Sequence, residues 1–129
     1  KGNSNNIHFN NESFDIITIA FGIRNLEFIN QSLKEMFRVL KTGGKLIILE
    51  FSRPKNSIIR FLYKKYFYYI MCIGNIISNN KLAYKYLYKS IQNFGYDGYM
   101  ESLLSKCGFL NLNTLPLTFG IVSIYLAEK

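Results

Sequence analysis

Arg24 and Asn25 are the two side chains whose types and position could best do chemistry. They follow Phe14-Asp15-Ile16-Ile17-Thr18-Ile19-Ala20, a nearly continuous apolar, β-branched run that predicts a strand buried on both faces of a sheet. Ligands of open α/β sheets bind just outside the carboxyl ends of their strands, so the pair stands where a site would be. Gly22, one step before Ile23, lets backbone approach a ligand closely. Arginine brings a permanent cation and a rigid fork of donors, but with a pKa above about 12 it is a poor direct base. The plain alternative is that Arg24 is a surface cation and Asn25 the N-cap of the next helix.

The other reactive groups offer less. His8 is the single histidine, and Cys72 and Cys107 lie far apart without a CxxC, so neither a zinc site nor a disulfide framework is indicated. Both cysteines read as small buried hydrophobes in a reducing compartment. Lysine and arginine outnumber acids 16 to 8, and the net charge of +8 favours anionic partners such as phosphates, nucleic acid or an acidic lipid surface. The chain is also rich in Asn, Lys, Ile and Tyr, the residues of AT-rich codons, so a basic drift needs no function.

Helices and strands must hold these groups in place. Ile29, Leu33, Met36, Phe37 and Leu40 form one apolar face at helical spacing, and the helix is expected to stop at Lys41-Thr42-Gly43-Gly44 with glycine as its left-handed cap. A second buried strand follows at Lys45-Leu46-Ile47-Ile48-Leu49-Glu50-Phe51. Strand, helix, turn and strand make a right-handed βαβ unit with parallel strands. After Pro54 the pattern turns helical and aromatic over residues 58–77, with further helices over 81–94 and 99–106. Residues 109–117 and 121–127 read as an antiparallel pair of strands. At 129 residues, 49% hydrophobic and 19% charged, the chain has room for one folded domain and shows no linker or repeat. It starts at Lys1 with no Met and no targeting segment, so it is expected to have been cut from a longer chain.

Two stretches carry a resemblance. Arg38-Val39-Leu40-Lys41-Thr42-Gly43-Gly44-Lys45-Leu46-Ile47-Ile48-Leu49-Glu50-Phe51-Ser52 resembles the "RVLK-x-GG-x-L-x-x-LEFS" segment of the ubiquinone/menaquinone biosynthesis C-methyltransferase family, with Thr42 where the family usually has Pro. The residues from Ile17 to Asn25 resemble that family's "I-x-x-FG-[IL]-RN", with Ala20 where Ser is common. The opening Gly2-Asn3-Ser4, at its spacing ahead of Phe14-Asp15, is similar to the family's "G-[DN]-A…FD", with His8 as a loop residue. As an Asn-rich terminus this piece could equally be disordered.

The resemblance implies the C-terminal half of a Rossmann-like class I methyltransferase α/β sheet, with a helical insert and a terminal antiparallel hairpin. The glycine-rich GxGxG loop and the ribose-binding acid of such folds do not occur here, so the isolated chain is expected to bind the cofactor poorly. By resemblance, S-adenosyl-L-methionine is the cofactor, contacted by Asn3, Ser4, Ala20, Phe21 and Gly22. The implied substrate is a polyprenyl benzoquinol or naphthoquinol methylated at a ring carbon, with no metal. Transfer is an in-line displacement at a sulfonium, so the protein mainly positions the partners and manages the proton. Arg24 is implied to orient the quinol or to deprotonate it through water, and Asn25 to place its oxygen.

The resemblance further implies a homodimer or a quinone-biosynthesis complex, peripheral membrane contact and no nucleic acid. The compartment would be the matrix side of the mitochondrial inner membrane in a eukaryote. In a bacterium it would be the cytoplasm or the inner-membrane surface. Phe61, Tyr63, Tyr66, Phe67, Tyr68 and Tyr69 interleave with Arg60, Lys64 and Lys65, which suits an interfacial helix or a lid over a polyprenyl chain, or an ordinary cover helix. Three cations in that run speak against a transmembrane span. Two rival functions stay open: a class I methyltransferase of another small molecule, and a non-catalytic basic module for membrane or nucleic acid.

Overall fold

The computed structural model describes residues 3–77, 86, 89–91, 94 and 98–129, of which residues 70–77 are described by backbone alone. β1 (Phe14–Ala20) and β2 (Leu40–Phe51) are parallel neighbours joined through α1 (Ile29–Val39), as the βαβ pattern requires. α2 (Ser57–Ile77) follows, then α3 (Tyr99–Lys106) and the strands β3 (Leu110–Leu117) and β4 (Val122–Glu128). β4 pairs antiparallel with both β2 and β3, giving the order β1-β2-β4-β3. A tight turn at Thr118–Gly120 closes the hairpin. The expected α/β sheet with a terminal antiparallel hairpin is therefore present.

Leu33 and Met36 of α1 and Met100, Leu103 and Leu104 of α3 join Leu46, Ile48 and Ala127 of the sheet in one buried cluster. Fully burying each such side chain contributes about 1.5–3 kcal/mol. Phe109 closes the cluster at the entry to β3, edge-on to Phe37 at 5.1 Å. Cys107 is buried beside it, and burial pushes its thiol upward, as expected of a small hydrophobe. The side chain of Cys72 and most of the helix expected over residues 81–94 lie outside the described residues, although 86, 89–91 and 94 are helical.

Two expectations change. β1 is not buried on both faces: it is an edge of the sheet among the described residues, and Ile16 is 57% exposed. Periodicity registers an apolar strand, but whether its faces are covered depends on neighbours. Nor do the glycines cap α1. The helix ends at Val39 and Leu40 is already extended (φ −71°, ψ 139°). Lys41 to Gly44 instead form an irregularity at the start of β2, where the register moves from Phe14↔Leu40 to Ile16↔Lys45. Gly43 takes φ 78° in it, and a Cβ on Gly44 would lie 2.8 Å from the Lys41 carbonyl oxygen, so both glycines are required there.

Candidate active site

Because β1 and β2 are parallel, their carboxyl ends lie side by side, with Ala20 opposite Leu49. Phe21 leaves β1 with φ 51°, its amide donating to the Leu49 carbonyl at 2.8 Å. A single 3₁₀ turn, Ile23–Asn25, then carries the chain past the end of β2. Ile23 anchors that turn in the core, and this delivers Arg24 onto the last residues of β2.

Arg24 is not a surface cation. Its Nη1 donates to Glu50 Oε1 at 2.5 Å and to the Phe21 carbonyl at 3.1 Å, and its side chain is only 8% exposed against 0% for Glu50. The guanidinium lies over the Phe51 ring at 5.2 Å. Glu50 Oε1 also accepts the Phe51 amide at 2.8 Å. The same oxygen therefore receives the cation and a backbone donor, while Glu50 Oε2 and Arg24 Nε have no partner among the described residues.

The aromatic side of the site comes from α2. Phe67 meets Phe51 at 6.4 Å and Tyr63 at 4.8 Å, and Phe21 meets Phe51 at 5.0 Å. Tyr63 is 8% exposed and its hydroxyl is buried without a partner among the described residues. Burial pushes that phenol well above its usual range, while the nearby Arg24 charge pulls it partly back. Tyr63 also lines an apolar cleft of about 330 Å³, together with Ile59, Leu62, Tyr66, Phe119 and Ile121. Ser52 ties this end of β2 to the hairpin, its hydroxyl donating to the Gly120 carbonyl at 2.9 Å and lying 2.8 Å from the Ser123 hydroxyl.

Asn25 does not cap α1, whose N-cap is Phe28; its Oδ1 accepts the Tyr86 hydroxyl at 3.1 Å. Gly22 has an ordinary φ of −113°, and a Cβ there would meet nothing nearer than 3.5 Å. The fold itself does not demand glycine at this position, so any such demand comes from a ligand. Ala20 is exposed at the end of β1.

Asn3 and Ser4 stand in a turn closed by a bridge between Asn3 and Asn6. Asn3 Oδ1 accepts the Asn5 amide at 3.0 Å, and the Ser4 and Ser32 hydroxyls are 3.0 Å apart. The turn is seated on α1, where Ser32 donates to Asn5 Oδ1 and Gln31 to the Asn5 carbonyl. Glu35 holds the next residues by accepting the Ile7 amide and two donors of Arg38. Those bonds, Arg38 first, hold its carboxyl down at about 2. Gly2 lies outside the described residues. Among the described residues no hydrogen bond joins Asn3 or Ser4 to Ala20, Phe21 or Gly22. The structure thus brings Arg24 together with Phe21, and Asn25 with Tyr86, while the turn of Asn3 and Ser4 is seated against α1. No cluster of metal-binding side chains occurs among the described residues.

Sequence reasoning passed over Glu50 and Tyr63. The signal for Glu50 was available: a carboxylate in the buried alternation Leu46, Ile48, Glu50 needs a cation.

Parallel strands closed by an antiparallel hairpin, with polar groups gathered at the strand ends, define the class I S-adenosylmethionine-dependent methyltransferase fold. A methyltransferase from Thermotoga maritima shares it with a TM-score of 0.66 at 22% identity, over 99% of this chain and 62% of that one. Human N-acetylserotonin methyltransferase, solved in complex with S-adenosylmethionine, matches with a TM-score of 0.63 at 17% identity, over 100% and 32%. The chain belongs to the ubiE/COQ5 methyltransferase family, which it matches over residues 1–129.

It is 48% identical over 122 residues to the ubiquinone/menaquinone biosynthesis C-methyltransferase UbiE of Rickettsia bellii, covering 94% of this chain and 49% of that protein. It is 39% identical over 129 residues to the mitochondrial 2-methoxy-6-polyprenyl-1,4-benzoquinol methylase of Gallus gallus, covering 99% and 42%. The chain therefore spans about half the length of the curated relatives it matches.

Proposed function

We propose that this chain is the substrate-side half of an enzyme that methylates a ring carbon of a polyprenyl benzoquinol or naphthoquinol. The observation that carries the reading is the buried Arg24–Glu50 pair at the carboxyl ends of β1 and β2, in a chain of this family. S-adenosylmethionine supplies the methyl group when bound, with Asn3, Ser4, Ala20, Phe21 and Gly22 as the residues that would hold it. Arg24 orients the quinol, or orients the water that takes its proton, and Asn25 places a quinol oxygen. The open edge of β1, with Ile16 exposed, supports a partner half that continues the sheet.

The test is calorimetry on two proteins. A complete enzyme containing this chain should bind S-adenosylmethionine, whereas the 129-residue chain alone should bind it at least tenfold more weakly (about 1.4 kcal/mol) because the glycine-rich loop is absent. Equal affinity of the two would sink the split-site reading.

The same reading extends to the membrane. Among the described residues no helix is long and apolar enough to cross a bilayer. α2 nevertheless exposes Phe61, Leu62, Tyr66, Tyr68 and Tyr69, with Lys64 and Lys65 exposed among them. Such a helix suits a headgroup boundary, on the matrix face of the mitochondrial inner membrane in a eukaryote or the cytoplasmic face in a bacterium. The complete enzyme should bind anionic vesicles in a salt-sensitive way, each near-surface cation contributing about 1 kcal/mol before screening. Lys64→Glu with Lys65→Glu should weaken that binding and spare activity on a short-chain soluble quinol. Undiminished vesicle binding by the double variant would leave α2 as a cover for the sheet.

A further inference from the structure

Three buried polar atoms lack partners among the described residues: Arg24 Nε, Glu50 Oε2 and the Tyr63 hydroxyl. Folded proteins leave few such atoms, since each one costs about 1–3 kcal/mol. The three belong to one contiguous group. Arg24 is bonded to Glu50 and lies over Phe51, and Phe51 and Tyr63 both pack on Phe67. All three side chains are more than nine-tenths buried. Resting on the quinol reading above, we propose that Glu50 Oε2, Arg24 Nε and the Tyr63 hydroxyl form the seat of a ring hydroxyl, and that Glu50 makes the seat selective for the reduced ring over the quinone.

The chemistry of the three groups dictates the ligand group. Nε can only donate, a carboxylate oxygen can only accept, and a phenol does either. A ring hydroxyl satisfies all of them, donating to Glu50 Oε2 while accepting from Arg24 Nε and Tyr63. A quinone carbonyl can still accept from Arg24 and Tyr63, but it leaves Glu50 Oε2 facing another acceptor. Rejection then arises from an unpaired buried group, which discriminates more sharply than loss of an apolar contact. Phe21, Phe51 and Phe67 give the ring apolar walls, and the cleft that Tyr63 helps to line gives an isoprenoid tail a way out. Glu50 also positions Arg24, because its Oε1 holds Nη1.

The experiment uses the complete enzyme with a short-tailed 2-methoxy-1,4-benzoquinol as substrate and the corresponding quinone as competitor. Wild type should prefer the quinol, and Glu50→Gln should shrink that preference at least tenfold, because an amide can donate to the carbonyl that the carboxylate repels. Tyr63→Phe should raise the quinol KM and the quinone inhibition constant together by about five- to tenfold, the loss of one neutral hydrogen bond, leaving their ratio intact. Its Tm should stay level or rise, since an unpartnered hydroxyl has been removed. A folded Glu50→Gln enzyme with an unchanged preference overturns the selectivity. A Tyr63→Phe enzyme with unchanged KM overturns the seat, whether or not the Glu50 variant folds. A wild-type enzyme that binds S-adenosylmethionine but methylates no quinol refutes the underlying reading instead.

Discussion

Arg24→Ala in the complete enzyme should lower kcat by about 10²–10³-fold, the range seen when one preorganised donor is removed from a reacting oxygen. The S-adenosylmethionine dissociation constant should change by less than about threefold, or about 0.65 kcal/mol. The asymmetry follows from placement. Arg24 points from the 3₁₀ turn toward Glu50 and the aromatic wall of α2, and it meets the cofactor residues implied by the family through the Phe21 carbonyl, in a segment that the Phe21 amide's own bond to Leu49 also holds. Steady-state kinetics at saturating cofactor, paired with calorimetry of cofactor binding, separates the two effects. A variant that loses cofactor affinity yet keeps kcat at saturation would move Arg24 into the cofactor pocket.

Much of this arrangement was legible before any coordinates. The 3.6-residue spacing of Ile29, Leu33 and Met36 gave α1, and the β-branched runs gave β1 and β2. The position of Arg24 after a strand end pointed to the candidate site. What could not be read is what tertiary contact decides. Ile16 looks as apolar as Ile17 in the sequence, but its exposure depends on what lies beyond the sheet edge. Gly43 and Gly44 look like a helix cap because glycine at a helix end usually is one, yet the register shift against β1 claims them for the strand. In α2, Tyr63 and Tyr66 share a type and both pack on Phe67, yet Tyr63 is buried and Tyr66 is exposed, which tertiary packing and not residue type decides. Glu50 was hidden for a different reason: a motif names it without showing that its partner lies 26 positions earlier.

That partnership makes a second large effect, and it bears on how the first must be measured. Removing one member of a buried ion pair strands the other charge, at a cost of about 3–5 kcal/mol. Arg24→Met alone should therefore lower stability by that amount, and so should Glu50→Leu alone. The double variant Arg24→Met with Glu50→Leu removes both charges and fills the space with apolar atoms of similar size. It should recover most of the loss, since such replacements are often neutral or stabilising by about 1–4 kcal/mol. Activity should not follow stability: the double variant should be as slow as either single one, because the donor and acceptor that meet the quinol are both gone. Denaturant melts and turnover measured on the same four proteins give a complete cycle. Recovery of turnover together with stability would mean that Arg24 and Glu50 serve the fold alone, and that the proton and the quinol are handled elsewhere in the enzyme.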